Sequence, residues 1–402
     1  MIRHLIKMVW NRKRWNFLIL VEMFLSFLVV FAVAVSGMSL YMNQKRPNGF
    51  DYSDVWLLSL NTPQGAMDEE NQATTLTQLK QIELLLQGQS EIVAQGLMNT
   101  PPYQNSGWVS SFLNPDQVKA TSHLSYCTIG LKDALDITIK QGEWFQEGDF
   151  QMANPTPIVI NGLLAEKIAP NGSALGMILR FNKDDSNEEF RVIGITENFR
   201  KEGELKKPLP FSFLPFRTDK EIDWLPQYCL LEMASGTTAA FEESLVAQLN
   251  GLAPDWSFKT QPLSRERSNY IAKTTRNVKI MGLVAFFLIL MVVMGLIGVL
   301  WQHVTRRTIE LGVRRAKGAT KAAIYSQILG EFLVVATLAI LLGLICLIQL
   351  PMIGILKPQA YNVFIPSFFL SALVLYSLTL ISAWYPSWMA GRIPPAEALH
   401  YE

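Results

Sequence analysis

The chain has 402 residues, 50% of them hydrophobic, and a formal net charge of +1 at pH 7. Its mean hydropathy of +0.19 is high for a soluble protein. The net charge by itself says nothing about nucleic acid, but the basic residues lie beside apolar runs and are not spread over one binding face. We therefore expect a membrane protein that binds no nucleic acid.

The chain begins with a basic segment and a long apolar run. Residues 1–16 contain basic and apolar residues but no acid, which predicts an amphipathic cytoplasmic helix on the inner leaflet. Residues 17–41 are apolar, with Glu22 as their one charged residue. A cleaved signal peptide is the alternative, but its apolar core would span only about 7–15 residues. The length favours an uncleaved first transmembrane helix.

Residues 42–277 are polar and rich in turn residues, and they contain no apolar run of membrane length. They predict a folded extracytoplasmic α/β domain. A β-α-β pattern occurs near each end of this region, in residues 54–60, 75–87 and 92–98 and again in residues 228–233, 238–250 and 256–261. Two such halves, far apart in sequence, predict a split sandwich with an insertion. The first lobe would be residues 50–98 with 225–262.

The inserted lobe would be residues 99–224. Within it, residues 157–160 and 190–195 have the apolar composition of buried strands, and residues 163–168 have the pattern of a helix between them. The large extracytoplasmic domain is therefore expected to have two lobes, both of mixed α/β structure.

Three further membrane-length runs follow the outer domain. Together with the first run they predict a four-helix transmembrane bundle, and the positive-inside bias places both termini in the cytoplasm. The expected segments are transmembrane helix 2 (278–301), a cytoplasmic coupling segment (302–326), transmembrane helix 3 (327–350), an outer loop (351–363), transmembrane helix 4 (364–388) and a cytoplasmic tail (389–402).

The basic coupling segment has a helical pattern. Ile309, Val313 and Ala316 recur on one face, and Arg306, Glu310 and Arg314 recur on the opposite face. Glu310 precedes Arg314 by four residues, the favourable order for a helical ion pair. We expect Gly318 to end this helix in a left-handed conformation and Thr320 to cap the next one.

The same segment resembles a known family. The run R-R-T-I-E-L-G-V-R-R-A-K-G-A-T, residues 306–320, is similar to the R-t-x-E-I-G-i-R-x-A-l-G-A-t motif of MacB/FtsX-type ABC transporter permeases, and Lys317 is its visible departure. Residues 141–149, 157–177 and 190–200 are similar to the periplasmic core pattern of MacB, and the tail P-P-A-E-A-L is similar to the family's ending.

The resemblance implies a bacterial inner-membrane permease whose outer domain has a porter-like lobe and an inserted lobe. It implies an ABC ATPase partner, a second permease subunit as homodimer or heterodimer, and, as a further candidate, a periplasmic membrane-fusion adaptor. The sequence has no G-x-x-x-x-G-K-[ST] motif, so we expect no enzymatic activity on this chain and ATP and Mg on the partner. The residues expected to couple to the ATPase are Arg306, Ile309, Glu310, Gly312, Val313, Arg314, Ala316 and Gly318.

Two acids lie within expected spans. Glu22 and Glu331 are each roughly two turns from the cytoplasmic end of a span. One interpretation is that they bond to connector arginines such as Arg306 or Arg307 and tie the coupling helix to the bundle. The alternatives are snorkelling to lipid headgroups or contact with a dimer partner. The family usually has a glutamate at the position of Glu331, which favours the structural tie there.

Other residue types indicate no catalytic or metal site. Cys127, Cys229 and Cys346 form no metal-binding spacing, and the first two are expected either as buried thiols or as a pair. Two alternatives to a transport permease remain at this point. One is an FtsX-like regulator that moves an outer cell-wall hydrolase or other partner without transport, and the other is a sensor. The large outer domain favours export, and the four spans exceed what a sensor needs.

The charge bias generates a test of topology. Single cysteines introduced at Asn61 and Thr320 should differ in their reaction with a membrane-impermeant thiol reagent on intact cells, because only Asn61 is expected outside. Labelling is measured by the mass shift of the purified protein. Modification at Thr320 in intact cells would contradict the predicted orientation.

Overall fold

The computed structural model describes residues 13–104, 107–150, 154–170, 172–182, 188–216, 225–305, 308–352 and 361–390. Residues 1–12 of the expected amphipathic helix, most of the expected outer loop and nearly all of the expected tail lie outside these ranges. The chain divides into two compact units, one formed by Asn43–Thr274 and the other by Met1–Met42 with Thr275–Glu402.

The helices follow the expected distribution of long apolar and short amphipathic elements. The described part of the chain has, in order, α1 (Lys13–Gln44), α2 (Gln72–Gln87), α3 (Leu131–Ala134), α4 (Gly162–Ile168), α5 (Ala239–Leu252), α6 (Leu263–Thr305), α7 (Thr308–Ala316), α8 (Lys321–Met352) and α9 (Tyr361–Ala390).

The strands all belong to the unit formed by Asn43–Thr274. They are β1 (Val55–Asn61), β2 (Ile92–Met98), β3 (Trp108–Leu113), β4 (Lys119–Cys127), β5 (Ile139–Gly142), β6 (Thr156–Asn161), β7 (Ile178–Phe181), β8 (Glu189–Thr196), β9 (Phe211–Pro215), β10 (Tyr228–Met233) and β11 (Ser257–Pro262).

The unit formed by Met1–Met42 with Thr275–Glu402 holds the membrane-crossing elements. Among the described residues, four helices are long and apolar enough to cross a bilayer, α1, α6, α8 and α9. The expected second span, 278–301, lies within α6. Since Leu263 and Tyr270 at the start of α6 are buried in the core of the outer domain, the apolar crossing part begins beyond them. A four-helix membrane domain is therefore present.

The helices α1, α8 and α9 share two buried clusters. Ile19 and Met23 of α1 pack with Ile324, Ile328 and Phe332 of α8 in the first cluster. In the second cluster, aromatic rings of α1 pack against those of α9, including Phe27 with Phe368 and Phe31 with Phe364. These contacts fix α8 against α1 close to where α7 precedes it.

The outer domain contains a four-stranded antiparallel sheet in the order β11-β1-β10-β2. Its strands come from both ends of the domain, so β1 pairs with β11 along its whole length although about 200 residues separate them. The helices α2 and α5 cover one face through Leu79, Ile82, Leu245 and Leu249. One sheet therefore combines strands from both β-α-β patterns of the sequence.

The inserted region forms a closed ring of strands. Within the described residues, pairing runs β4-β3-β7-β8-β6-β9, and β9 also pairs with β4 in parallel. The ring surrounds its own apolar cluster, which includes Phe112, Leu124, Ile160 and Phe190. It joins the first sheet at one β2–β4 bridge, Met98 with Cys127. Each lobe thus has an apolar cluster of its own, and the two lobes share one continuous sheet.

A third cluster lies where the two lobes meet. It combines residues of the first sheet, such as Leu57 and Leu230, with Phe199 and Phe213 from the inserted region. Cys127 and Cys229 are both buried and free, and burial raises the pKa of each thiol. They are therefore unreactive core residues and not a disulfide pair.

One glycine shows how tightly this region is packed. A Cβ at Gly96 of β2 would lie 2.3 Å from Cα of Leu131 in α3, so no side chain fits. We expect Gly96→Ala to lower the free energy of unfolding by about 1–3 kcal/mol, the usual effect of overpacking. Gly251→Ala in α5 is the control, because nothing lies within 4 Å of that position. Thermal unfolding of the purified variants measures both, and equal melting temperatures would contradict the close packing.

Candidate coupling site

The candidate site is the short helix α7 and its junction with α8. Lys317 N donates to Val313 O (3.1 Å) and Ala319 N to Arg314 O (3.1 Å), which closes the last turn. Gly318 has φ of 96°, a left-handed conformation that favours glycine. The backbone then turns into α8, where Ala323 N donates to Thr320 Oγ1 at 3.2 Å. The helix break and the cap therefore occur at the positions that the sequence predicts.

A chain of hydrogen bonds joins α7 to α8. Arg314 Nη2 donates to Glu310 Oε1 at 2.8 Å, and its Nη1 donates to Gln327 Oε1 at 2.6 Å. Gln327 Nε2 in turn donates to Glu331 Oε1 at 3.2 Å. We call the four residues Glu310, Arg314, Gln327 and Glu331 the polar ladder. It connects the surface of the coupling helix with an acid in the third span.

The ladder resolves an electrostatic problem at Glu331. This acid is only 6% exposed, and a buried charge is unfavourable unless it is hydrogen-bonded or paired. Gln327 supplies a hydrogen bond to it and passes the interaction on to the guanidinium of Arg314. Arg314 can hold both sides because its planar fork presents several donors in a fixed geometry. The acid therefore fixes the orientation of α7 relative to α8.

The apolar side of α7 is open. Ile309 is 54% exposed and Val313 is 37% exposed, and Ala316 is exposed as well. The apolar residues of α8 beyond the turn behave differently, since Ile324, Ile328 and Phe332 are buried against α1. The coupling helix is thus held through its polar ladder, and its apolar stripe of Ile309, Val313 and Ala316 is left for another surface.

Glu22 has a different environment from Glu331. A Cβ at Gly295 of α6 would lie 2.1 Å from Glu22 Oε1, so the glycine makes room for this carboxylate between α1 and α6. The described residues show no hydrogen bond from the Glu22 carboxylate to the coupling helix. Arg306 and Arg307, the expected partners of the acids, lie outside the described residues, and Gly312 lies within α7.

Sequence reasoning missed Gln327. It stands four residues before Glu331 and therefore on the same face of α8, which is the one signal that could have found it. The described residues contain no group of three or more His, Cys, Asp or Glu that could hold a metal ion.

Two family models match the chain. The MacB-like periplasmic core domain matches residues 25–248, and the FtsX-like permease C-terminal domain matches residues 282–395. The first covers more than half of the 402 residues. The second contains α7, the turn at Gly318 and the polar ladder.

Individual relatives are distant in sequence. YvrN of Bacillus subtilis (strain 168), named as an uncharacterised ABC transporter permease, is 22% identical over 67% of this chain and 68% of its own length. A macrolide export ATP-binding/permease protein MacB of Rhodopirellula baltica is 28% identical over 39% of this chain and 23% of its own. The crystal structure of the periplasmic region of MacB from Actinobacillus actinomycetemcomitans covers 59% of this chain and 98% of its own, with 17% identity and a TM-score of 0.38.

The polar ladder generates a test of its own. Gln327→Met preserves size but removes both hydrogen bonds, so we expect faster amide exchange of Lys317 and Ala319 at the end of α7. The free energy of unfolding should fall by about 1–3 kcal/mol, because the groups that bond to Gln327 would be left unpaired. Gln349→Met is the matched control, because Gln349 lies on the same helix outside the ladder. Hydrogen–deuterium exchange of the two variants measures the difference, and unchanged exchange in Gln327→Met would contradict a ladder that holds α7.

Proposed function

We propose a function from the family to which this chain belongs, the MacB/FtsX-type permeases of ABC transporters. It is a multi-pass protein of the bacterial inner membrane, with four candidate spans and a large outer domain. We propose that it is a permease subunit that receives the motion of a separate ABC ATPase on α7 and transmits it to the extracytoplasmic domain. The result is export or extraction of a substrate.

The observation that carries this proposal is the combination of the polar ladder with the exposed apolar stripe of α7. The stripe of Ile309, Val313 and Ala316 is too narrow to anchor a helix in lipid, but it suits a groove on another protein. The ladder makes the connection from α7 to α8 stiff. A push on the stripe would therefore move α8 and not merely bend the turn at Gly318.

The next step uses the packing of the spans. Ile324, Ile328 and Phe332 of α8 are buried with Ile19 and Met23 of α1. A displacement of α8 would carry α1 with it, because close-packed interfaces move as units. The chain leads from α1 directly into the outer domain, so motion received at the cytoplasmic side can reach that domain without passage of substrate through the bundle.

The remaining partners follow from the same proposal. The sequence contains no Gly-Lys dipeptide and hence no phosphate-binding loop of the Walker type, so ATP and Mg would be bound by the ATPase. Two copies of the ATPase would work with two permease subunits, of which this chain is one. The large outer domain with its two lobes favours export over simple regulation of an outer hydrolase.

The docking role of the apolar stripe can be tested by Val313→Asp. A carboxylate introduced at this position would have to be desolvated in the docking groove, which costs several kcal/mol. We expect the variant to insert and fold but to lose co-purification of the ATPase. Affinity purification from membranes, with mass spectrometry of the bound proteins, measures this.

The matched control is Ala323→Asp, an exposed position in the first turn of α8 where an acid favours the helix N-terminus. It should retain the ATPase. If α7 instead rests on anionic headgroups, where each basic residue contributes about 1 kcal/mol, Val313→Asp would keep the ATPase and respond to lipid composition. That outcome would contradict docking.

A further inference from the structure

The loop between β8 and β9 contains a buried arginine that ties together several parts of the outer domain. Arg200 is only 2% exposed. Its Nη1 donates to the carbonyl oxygens of Asn43 (2.9 Å) and Arg46 (2.8 Å). Its Nη2 donates to those of Glu204 (2.8 Å) and Lys206 (2.7 Å). One guanidinium therefore joins the end of α1 and the segment that follows it to the loop itself.

The amide backbone strengthens this connection. Arg200 N donates to Asn48 O at 2.9 Å, and the side chain of Asn43 donates to Leu205 O at 3.1 Å. Asn43 is the residue with which the outer domain begins, one position before α1 ends at Gln44. The loop thus holds the incoming chain at the point where it leaves the first span.

The same loop holds the outgoing chain. Arg267, one turn into α6, forms an ion pair with Glu204, whose side chain is buried. Its guanidinium also lies over the ring of Tyr52, 4.9 Å from the centroid. Tyr270 lies one turn further along α6, and Lys206 Nζ is 5.6 Å from the centre of its ring. The incoming chain and α6 are therefore bound to the same short loop.

The loop is rigid at its centre. Gly203 has φ of 71°, and a Cβ there would lie 2.7 Å from the ring of Tyr103. Tyr103 N donates to Lys201 O at 2.8 Å, which fixes the loop to the same ring. Tyr103 packs in turn against Phe50 and Tyr270. A loop seated on aromatic side chains in this way can pass on a displacement instead of absorbing it.

The positive charge of Arg200 indicates what this side chain contributes to the loop. A neutral side chain could link two backbone segments, whereas a buried arginine carries a desolvation penalty. What the guanidinium adds is four simultaneous bonds in one plane, a geometry that lysine cannot reproduce. Arg200 therefore fixes the distance between the chain leaving α1 and the loop more strictly than ordinary packing would.

We infer that residues 200–206 form the joint through which α1 and α6 act together on the outer domain. Arg200 and Glu204 are its positioning residues, one for each connection. This inference rests on the proposed transmission function and assigns it to named residues. Displacement of either helix would reach the sheet at the ends of β8 and β9, the strands that flank the loop.

The test uses the full-length chain with its co-purified ATPase in lipid nanodiscs. Hydrogen–deuterium exchange of the outer domain is measured with and without a non-hydrolysable ATP analogue. In the unchanged protein we expect the analogue to alter exchange in the outer domain. Arg200→Lys should lose most of that alteration while it still binds the ATPase. Arg180→Lys is the matched control, since Arg180 is an exposed arginine paired with Glu189, and it should respond normally.

Each outcome decides the matter. If the unchanged protein shows no response to the analogue, the proposed function fails and the joint fails with it. If the unchanged protein and Arg200→Lys respond equally, only the joint is overturned.

Protection of β10 from exchange without nucleotide checks the fold of the variant. Should Arg200→Lys lose that protection, the same exchange experiment is done with Glu204→Gln, because this substitution keeps the size of the side chain and removes its charge. Loss of the response in a folded Glu204→Gln supports the joint, and a normal response or unfolding overturns it.

Discussion

The structure depends on one buried interaction beside the turn from α7 into α8, the hydrogen bond that Gln327 donates to Glu331. A buried carboxylate in a span is unfavourable by itself, and its presence is balanced by partners that orient it. Through Gln327 the partner becomes Arg314, which also pairs with Glu310. The requirement to satisfy one acid therefore sets the orientation of the whole coupling helix and leaves its apolar stripe exposed.

A similar device occurs in the outer domain, at a quite different place in the chain. There a buried arginine, Arg200, bonds to carbonyl oxygens, and Glu204 pairs with Arg267. In both cases a planar guanidinium bridges segments that would otherwise be joined only by a turn or a loop. Both bridges belong to the transmission that we propose for this chain.

Much of the fold could be predicted from periodicity, and the rest could not for identifiable reasons. The strands β1, β2 and β10 could be predicted because apolar residues dominate them, whereas β11 is mostly polar and was predicted from its place at the end of the second β-α-β pattern. The strand β4 was missed because its buried positions include Ser122 and Ser125, whose hydroxyls are satisfied by hydrogen bonds. At the site, the helix stop at Gly318 was predictable from local chemistry. Gln327 was not, because its role depends on Arg314, thirteen residues away.

The central claim is that the apolar stripe of α7 lies in a groove of an ABC ATPase. The most direct measurement is photo-crosslinking from a benzoylphenylalanine placed at Ile309, which is 54% exposed, in membranes that contain the ATPase. The account predicts a covalent product with the ATPase from this position and none from the same group at Leu342, an exposed residue within the third span. A product with lipid alone at Ile309, while the ATPase still co-purifies, would contradict it.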